Sequence, residues 1–349
     1  MDKKTNIITF FKEIFSHNTQ KKHLSCDWAE HGINFQYDEI KTCCMCFHEG
    51  GFQPPIPYLN TTNFDIKKYF KSKKNIRKLH RSGKIHKYCK GCMNLKEGFW
   101  DKDDYISHIN FDNSTYCSSN CCYCFTHEKK EEYNSKPPIP ILPIVKELMA
   151  KKQLLPKGEV MFGGGEPTEN PEFEELLTLL MNKGFPYFKI HSSGIKYSKA
   201  IERCLNEDKA DLIISVDAGT EETYKKIKNI TAFEKVWENL QKYSQKQNQN
   251  KTQVKAKYLI VPGYNDNQKD IDDFFSQVAR CQIKAVRVDI EYIWYTKNRN
   301  NIEALIPMFK LLKHAEKKAK TLDLLHFCFH TEAYTAIQEH KELFEKDFT

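Results

Sequence analysis

Three cysteines fall within eight residues, as Cys117-x3-Cys121-x2-Cys124, with Tyr123 just before the last. Three thiolates this close suit a metal or cluster that must keep one coordination position free, because a closed structural site normally takes a fourth ligand. Cys122 lies inside the run but breaks the x3–x2 spacing, so it is expected not to be a ligand. About forty residues on comes Gly163-Gly164-Gly165-Glu166, a glycine-rich turn with one carboxylate. Glycines let backbone approach a ligand closely, and the carboxylate can pair with a cationic group. Such a turn can also cradle phosphate, but Glu166 would repel that anion and no Gly-Lys-Ser/Thr follows.

Ten of the 13 cysteines lie in the first 124 residues. A disulfide scaffold is one use of such density, but the N-terminus does not read as a secretory signal: Lys12 and Glu13 interrupt its apolar residues and no small-residue cleavage site follows. Residues 7–15 are expected to form an amphipathic helix, and the protein is expected to be cytoplasmic. In a reducing compartment, clustered cysteines favour metal or iron–sulfur ligation. One ligand set is Cys26, Cys43, Cys89 and Cys92, with Cys44 or Cys46 able to substitute for Cys43. Four thiolates close a cluster or a zinc site; three leave an iron open to substrate.

The elements that must carry these residues change character along the chain. Residues 1–100 form a cysteine-bearing module with a strongly basic helical stretch from Lys67 to Arg81. Its charges, with Tyr69 and Phe70 among them, invite a nucleic-acid reading. The plainer reading, which we favour, is a solvated face with Tyr69, Phe70, Ile76 and Leu79 packed inward. From Tyr105 strand and helix signals alternate, which predicts parallel βα units. Predicted strands are Tyr105–Phe111, Glu159–Phe162, Tyr187–His191, Leu212–Asp217, Val254–Val261 and Ala285–Tyr292, and Asn170-Pro171 resembles a helix start. The tail, 301–349, reads as a helix, an apolar stretch over 324–329 and a final helix that cap the barrel.

Taken together, the cysteine triplet and the Gly-Gly-Glu turn resemble the motifs of the radical S-adenosylmethionine (SAM) family. The six βα units resemble its partial (β/α)6, TIM-like barrel over residues 101–300. Both motifs fall at the C-terminal ends of strands, where barrel chemistry sits. The resemblance implies that Cys117, Cys121 and Cys124 hold a [4Fe–4S] cluster with one bare iron, which SAM chelates. Reductive cleavage of SAM then gives a 5′-deoxyadenosyl radical that abstracts hydrogen from a substrate. It further implies a SAM site drawing on Tyr123, Gly164, Gly165, Glu166, Ser192, Ser193, Ser215 and Asp217. The N-terminal module is similar to SPASM-type auxiliary-cluster domains, which implies a second iron–sulfur cluster; a four-cysteine zinc site is the alternative. A reductant such as flavodoxin or ferredoxin and a small-molecule, peptide or carbohydrate substrate are the implied partners. Arg287, Asp289 and Glu291 alternate with apolar residues on the sixth strand and are candidates to face substrate.

Composition sets outer bounds. The chain has 349 residues, 40% of them hydrophobic, with a net charge of +8 and no apolar run of membrane-spanning length. That charge permits a nucleic-acid partner without requiring one. The competing reading is a zinc-organised nucleic-acid-binding protein, which needs neither the Gly-Gly-Glu turn nor the six βα units.

Overall fold

The computed structural model describes residues 21–36, 39–43, 47–48, 51–52, 59–60, 65–92, 94–112, 116–124, 139, 141–248 and 251–345. Cys44, Cys46 and the helix expected over 7–15 lie outside these. The chain divides into two compact units, the first containing residues 1–35, 39–110 and 139–155, the second 36–38, 111–138 and 156–349.

In the first unit, β1 (His23–Ser25) leads into a short helix α1 (Asp27–His31) and then β2 (Gly32–Gln36), β3 (Glu39–Lys41), β4 (Phe47–His48), β5 (Gly51–Phe52) and β6 (Leu59–Asn60). Helix α2 (Ile66–Arg81) follows, then β7 (Lys96–Gly98), β8 (His108–Asp112) and α3 (Ile141–Ala150). Asp65 caps α2 by accepting the Lys67 and Lys68 amides. The buried face of α2 carries Tyr69, Phe70 and Ile76, as the sequence predicts, but Leu79 is only half-buried, and Lys73, Arg77 and His80 are buried instead. Lys73 Nζ donates to the carbonyls of Trp28 (2.9 Å) and Gly32 (2.8 Å) around the C-terminal end of α1, adding to the donors each already has. Arg77 donates to Asp103 O and pairs with Asp104. Part of the basic run is therefore structural.

The second unit is a parallel α/β layer. Its strands are β9 (Glu159–Phe162), β10 (Tyr187–Ser192), β11 (Ala210–Ser215), β12 (Val254–Ile260), β13 (Ala285–Ile290) and β14 (His326–Phe329), each parallel to the next. Between them run α4 (Phe173–Lys183), α5 (Lys199–Asn206), α6 (Glu221–Lys228), α7 (Phe233–Ser244), α8 (Gln268–Arg280), α9 (Tyr292–Asn298) and α10 (Ile302–Thr321), with α11 (Thr331–Glu339) and α12 (Lys341–Glu345) at the end. Phe111 of β8 belongs to this unit and accepts the Gly163 amide (2.9 Å). The fold is an α/β partial barrel, as expected.

Several boundaries differ from expectation: the first predicted strand begins only at His108, three residues late, and others shift by one or two, with a clear local reason in three places. The fourth predicted strand stops at Ser215 because Asp217 adopts φ +60°, which no strand accommodates. The sixth stops at Ile290 because Glu291 turns out to cap α9, accepting the Ile293 and Trp294 amides, so it does not continue the strand. Asn170 accepts the Glu172 amide in a turn, and α4 begins only at Phe173. The apolar tail stretch joins the sheet as β14 through the α10 crossover.

Candidate functional site

The cysteine loop follows β8, and the Gly-Gly-Glu turn follows β9. Gly164 and Gly165 take φ +60° and +67°, and a Cβ on Gly164 would stand 2.7 Å from the Asp112 backbone, so only glycine fits. The turn is bonded to the loop: the Glu166 amide donates to Tyr116 O (2.6 Å), and Ser118 Oγ donates to Glu169 (2.5 Å). On its other side the loop hangs from the end of α6, whose Lys228 and Ile227 carbonyls accept the Asn120 and Cys122 amides (both 2.9 Å). A helix leaves those carbonyls unpaired, and the loop uses them.

Cys117, Cys121 and Cys124 are half-buried and Cys122 is exposed. Burial, joined by Cys121 and Glu166, pushes the Cys117 thiol up to about 11. Burial also raises Cys121, with Lys228 opposing. Raised in this way, the Cys117 and Cys121 thiols favour the protonated form, and an iron cluster would supply the positive charge that favours their thiolates.

Glu166 is buried, and its carboxylate is well occupied. Oε1 accepts Thr168 N (3.1 Å), Thr168 Oγ1 (2.6 Å) and Ser192 Oγ (2.8 Å), while Oε2 accepts the Ser193 amide. Ser192 in turn accepts the Gly194 amide (2.9 Å). The predicted residues Glu166, Ser192 and Ser193 thus meet in one network that ties the turn to the end of β10. Ser215 stands half-buried at the end of β11.

Tyr123 and Asp217 also meet. Tyr123 Oη donates to Asp217 Oδ2 (2.6 Å), Lys228 forms a buried ion pair with the same carboxylate, and Lys228 Nζ lies 2.6 Å from Tyr123 Oη. Asp217 Oδ1 accepts the Leu259 amide (2.8 Å), and Asn265 Nδ2 holds the Asp217 carbonyl (2.9 Å). Lys228 escaped sequence reasoning, and Asn265 lies in a stretch, Val261–Asp266, that resembles the family's fifth-strand turn but has no residue role legible in sequence. Lys228 is one of three lysines in the last turn of α6, and only its place beside buried Tyr224 and Ile227 marks it.

Asp289 accepts the Ala333 amide (2.9 Å) and pairs with His330 (3.1 Å). Burial works against its charge, but His330, the Ala333 amide and Lys257 outweigh it and hold the carboxyl below its usual range. Burial and then Asp289 push neighbouring Glu332 up to about 7.

In the first unit, Cys26, Cys43, Cys89 and Cys92 face one another closely enough for their charges to interact. Cys26 Sγ caps α1 by accepting the Ala29 amide (3.4 Å), and Asn34 Nδ2 holds the Cys43 carbonyl (3.0 Å). Cys89 and Cys92 share a turn closed by Cys92 N to Cys89 O (3.1 Å). Among the described residues, no three His, Cys, Asp or Glu side chains are drawn in tightly enough to close on a single metal ion.

A parallel α/β layer whose strand ends carry a three-cysteine loop bonded to a Gly-Gly-Glu turn defines a cofactor-using partial-barrel protein. Residues 114–275 match the family model described as the Radical SAM superfamily, and the chain carries a radical SAM domain over that stretch. Members of that superfamily hold a [4Fe–4S] cluster and SAM. Over 89 residues, 25% of this chain, it is 32% identical to 7,8-dihydro-6-hydroxymethylpterin dimethyltransferase from Methanocaldococcus jannaschii, covering 17% of that protein. Among solved structures, SuiB of Streptococcus suis has a TM-score of 0.49 at 13% identity, covering 79% of this chain and 58% of that one. A radical SAM methyltransferase from Sphaerobacter thermophilus has a TM-score of 0.39 at 12% identity, covering 68% and 70%. The chain spans less than two thirds of the length of the first two. Among the described residues, no helix is long and apolar enough to cross a membrane.

Proposed function

We propose that this chain is an enzyme that reductively cleaves SAM at a [4Fe–4S] cluster held by Cys117, Cys121 and Cys124. The observation that carries the reading is the direct bonding of the Gly-Gly-Glu turn to the cysteine loop, through Glu166 N to Tyr116 O and Ser118 to Glu169. The donor set fits the group by type and spacing: three half-buried cysteines within eight residues would supply three sulfurs and leave one iron without a protein ligand. Held by Cys117, Cys121 and Cys124, a reduced cluster would supply the one electron needed to cleave the SAM sulfonium to methionine and a 5′-deoxyadenosyl radical, the species that would take hydrogen from substrate.

The protein's own residues position and shield. Gly164 and Gly165 let the turn's backbone approach SAM. Glu166 spends Oε1 on Thr168 and Ser192 and keeps one acceptor site on Oε2 for the SAM ammonium. Tyr123, locked by Asp217 and Lys228, gives a fixed aromatic surface beside Cys121 and Cys124 for the adenine. Ser192, Ser193, Ser215 and the Asp217 backbone complete the polar rim.

The reading extends to the N-terminal module, residues 1–100, as an auxiliary site in which Cys26, Cys43, Cys89 and Cys92 hold a second iron–sulfur cluster. Residues 101–300 form the radical SAM barrel and 301–349 its C-terminal extension. A flavodoxin or ferredoxin is the fitting electron donor, and a small molecule, peptide or carbohydrate the fitting substrate. The test is anaerobic reconstitution with iron and sulfide. The expected result is 5′-deoxyadenosine that forms only with SAM and reductant and disappears in the Cys117→Ala/Cys121→Ala/Cys124→Ala variant. Fully reconstituted, reduced protein that makes no 5′-deoxyadenosine would sink the reading.

A further inference from the structure

The parallel register of the second unit sets one row of side chains across four strands. Ser215 of β11 stands beside Lys257 of β12, Lys257 beside Arg287 of β13, and Arg287 beside Cys328 of β14. Neighbours in this direction are about 5 Å apart. All four are half-buried, whereas Ala256, Tyr258, Val286 and Val288, which alternate with them, are buried on the other face. Lys257 and Arg287 each lie three residues before their strand's end, deeper than the turns that carry the cofactor residues.

Two like charges side by side on one sheet face repel each other. Among the described residues, neither side chain has a hydrogen bond or ion pair that would offset this, and Arg287 Nε is buried without a partner. The acids nearby, Asp217, Asp289 and Glu332, feel the charge of Lys257 without pairing with it, and the first two are hydrogen-bonded elsewhere: Asp217 to Lys228 and Tyr123, Asp289 to His330 and the Ala333 amide. His191 of β10 faces the same two cations and, held down to about 3 by burial and then by Lys257 and Arg287, stays uncharged at neutral pH. An unpaired cationic pair beside a neutral imidazole is complementary to an oxyanion, which Arg engages in bidentate fashion.

We propose that Lys257 and Arg287 form a subsite for an oxyanion of the substrate, a carboxylate or a phosphate group, with His191 as a neutral hydrogen-bonding neighbour. The subsite rests on the radical SAM reading for what lies above it: the anchored substrate directs its reacting carbon toward the strand ends. The chemistry of this wall selects acidic substrates and rejects cationic ones.

The experiment follows thermal unfolding of the full, anaerobically reconstituted chain in buffer free of phosphate and carboxylates, titrated with inorganic phosphate or with acetate. Wild type is expected to gain stability with at least one probe by mass action. Lys257→Met and Arg287→Met are expected to bind that probe about tenfold more weakly or worse, with Arg287→Met unfolding no earlier than wild type in probe-free buffer because the repulsion is gone. Lys257→Met also gives up a charge that favours ionised Asp217 and Asp289, so each variant's response is read against its own probe-free baseline. Lys255→Met, whose amine is paired with Asp211 one row away, is expected to keep wild-type affinity. A response to phosphate alone assigns a phosphate ester, to acetate alone a carboxylate, and to both the shared oxyanion chemistry. Arg287→Gln replaces the methionine variant if that chain does not fold, with the same expectation. No response of wild type to either probe, or equal affinity in wild type and both variants, overturns the subsite. A 5′-deoxyadenosine assay on the same wild-type preparation separates the two readings, since its success without a probe response removes the subsite alone.

Discussion

Lys228 and Asp217 form an ion pair from which water is excluded, their side chains 3% and 0% exposed. Removing one partner of such a pair leaves the other charged and unsolvated, at a cost of about 3–5 kcal/mol. Lys228→Met is therefore expected to lower the urea-unfolding free energy by about that much, whereas Lys228→Met/Asp217→Asn recovers part of the loss. A single variant no less stable than the double would show that the pair is not what holds Tyr123. Stability should also depend on pH through this pair. Burial alone would raise the Asp217 pKa, but Lys228, Lys257 and Tyr123 overcome it and hold it below its ordinary value. Its contribution is therefore complete above the unfolded carboxyl's pKa of about 4 and is lost as pH falls through the lower folded value. Acid unfolding of wild type should be steeper below about pH 4 than that of the double variant, and parallel curves would refute the coupling.

At the scale of elements, α2 separates what periodicity can and cannot reveal. The spacing of Tyr69, Phe70 and Ile76 predicts an inward face, and the helix buries them. Nothing in the spacing says that Lys73 and Arg77 join that face, because their partners are backbone carbonyls and an aspartate from other segments. The parallel strands were legible for a simpler reason: β9 matches its predicted span, and β10, β11, β12 and β13 each differ from theirs by no more than two residues at either end. Alternation fixes a strand's body, whereas its end depends on one residue's backbone or capping choice, as at Asp217 and Glu291. The site was legible as motifs but not as a network, since Lys228 and Asn265 reach Asp217 from distant stretches. Lys73 offers a test. Burial, and then Arg77, push its amine down to about 7. Both carbonyls it serves keep another donor, Gly32 N for Trp28 and Tyr69 Oη for Gly32. Lys73→Met is therefore expected to change stability by less than about 1 kcal/mol, or to raise it. A loss of about 3 kcal/mol or more in urea unfolding would make the amine a necessary staple.

For the whole molecule, the two units carry two separate cysteine sets, one in each. In the first unit, burial pushes the Cys26 thiol up to about 11 and Cys89 up to about 12, with the neighbouring cysteines adding to both. Because Cys26 and Cys89 would have to lose their protons to bind a metal, uptake should release protons and tighten as pH rises. Replacing Cys89 and Cys92 together by serine is expected to take iron from roughly eight to roughly four atoms per chain while SAM cleavage persists. A zinc site would instead show roughly four irons in both proteins and one zinc lost. Hydrogen exchange locates the consequence: because a metal held by the four thiols would join α1, the segment just after β3 and the turn at Cys89, loss of the site should release amides in residues 21–36, 39–43 and 65–92. Strands β10 to β13, whose packing is their own, should keep their protection. Equal loss of protection in both units would mean that the chain unfolds as one cooperative body and that the N-terminal thiols stabilise the barrel directly.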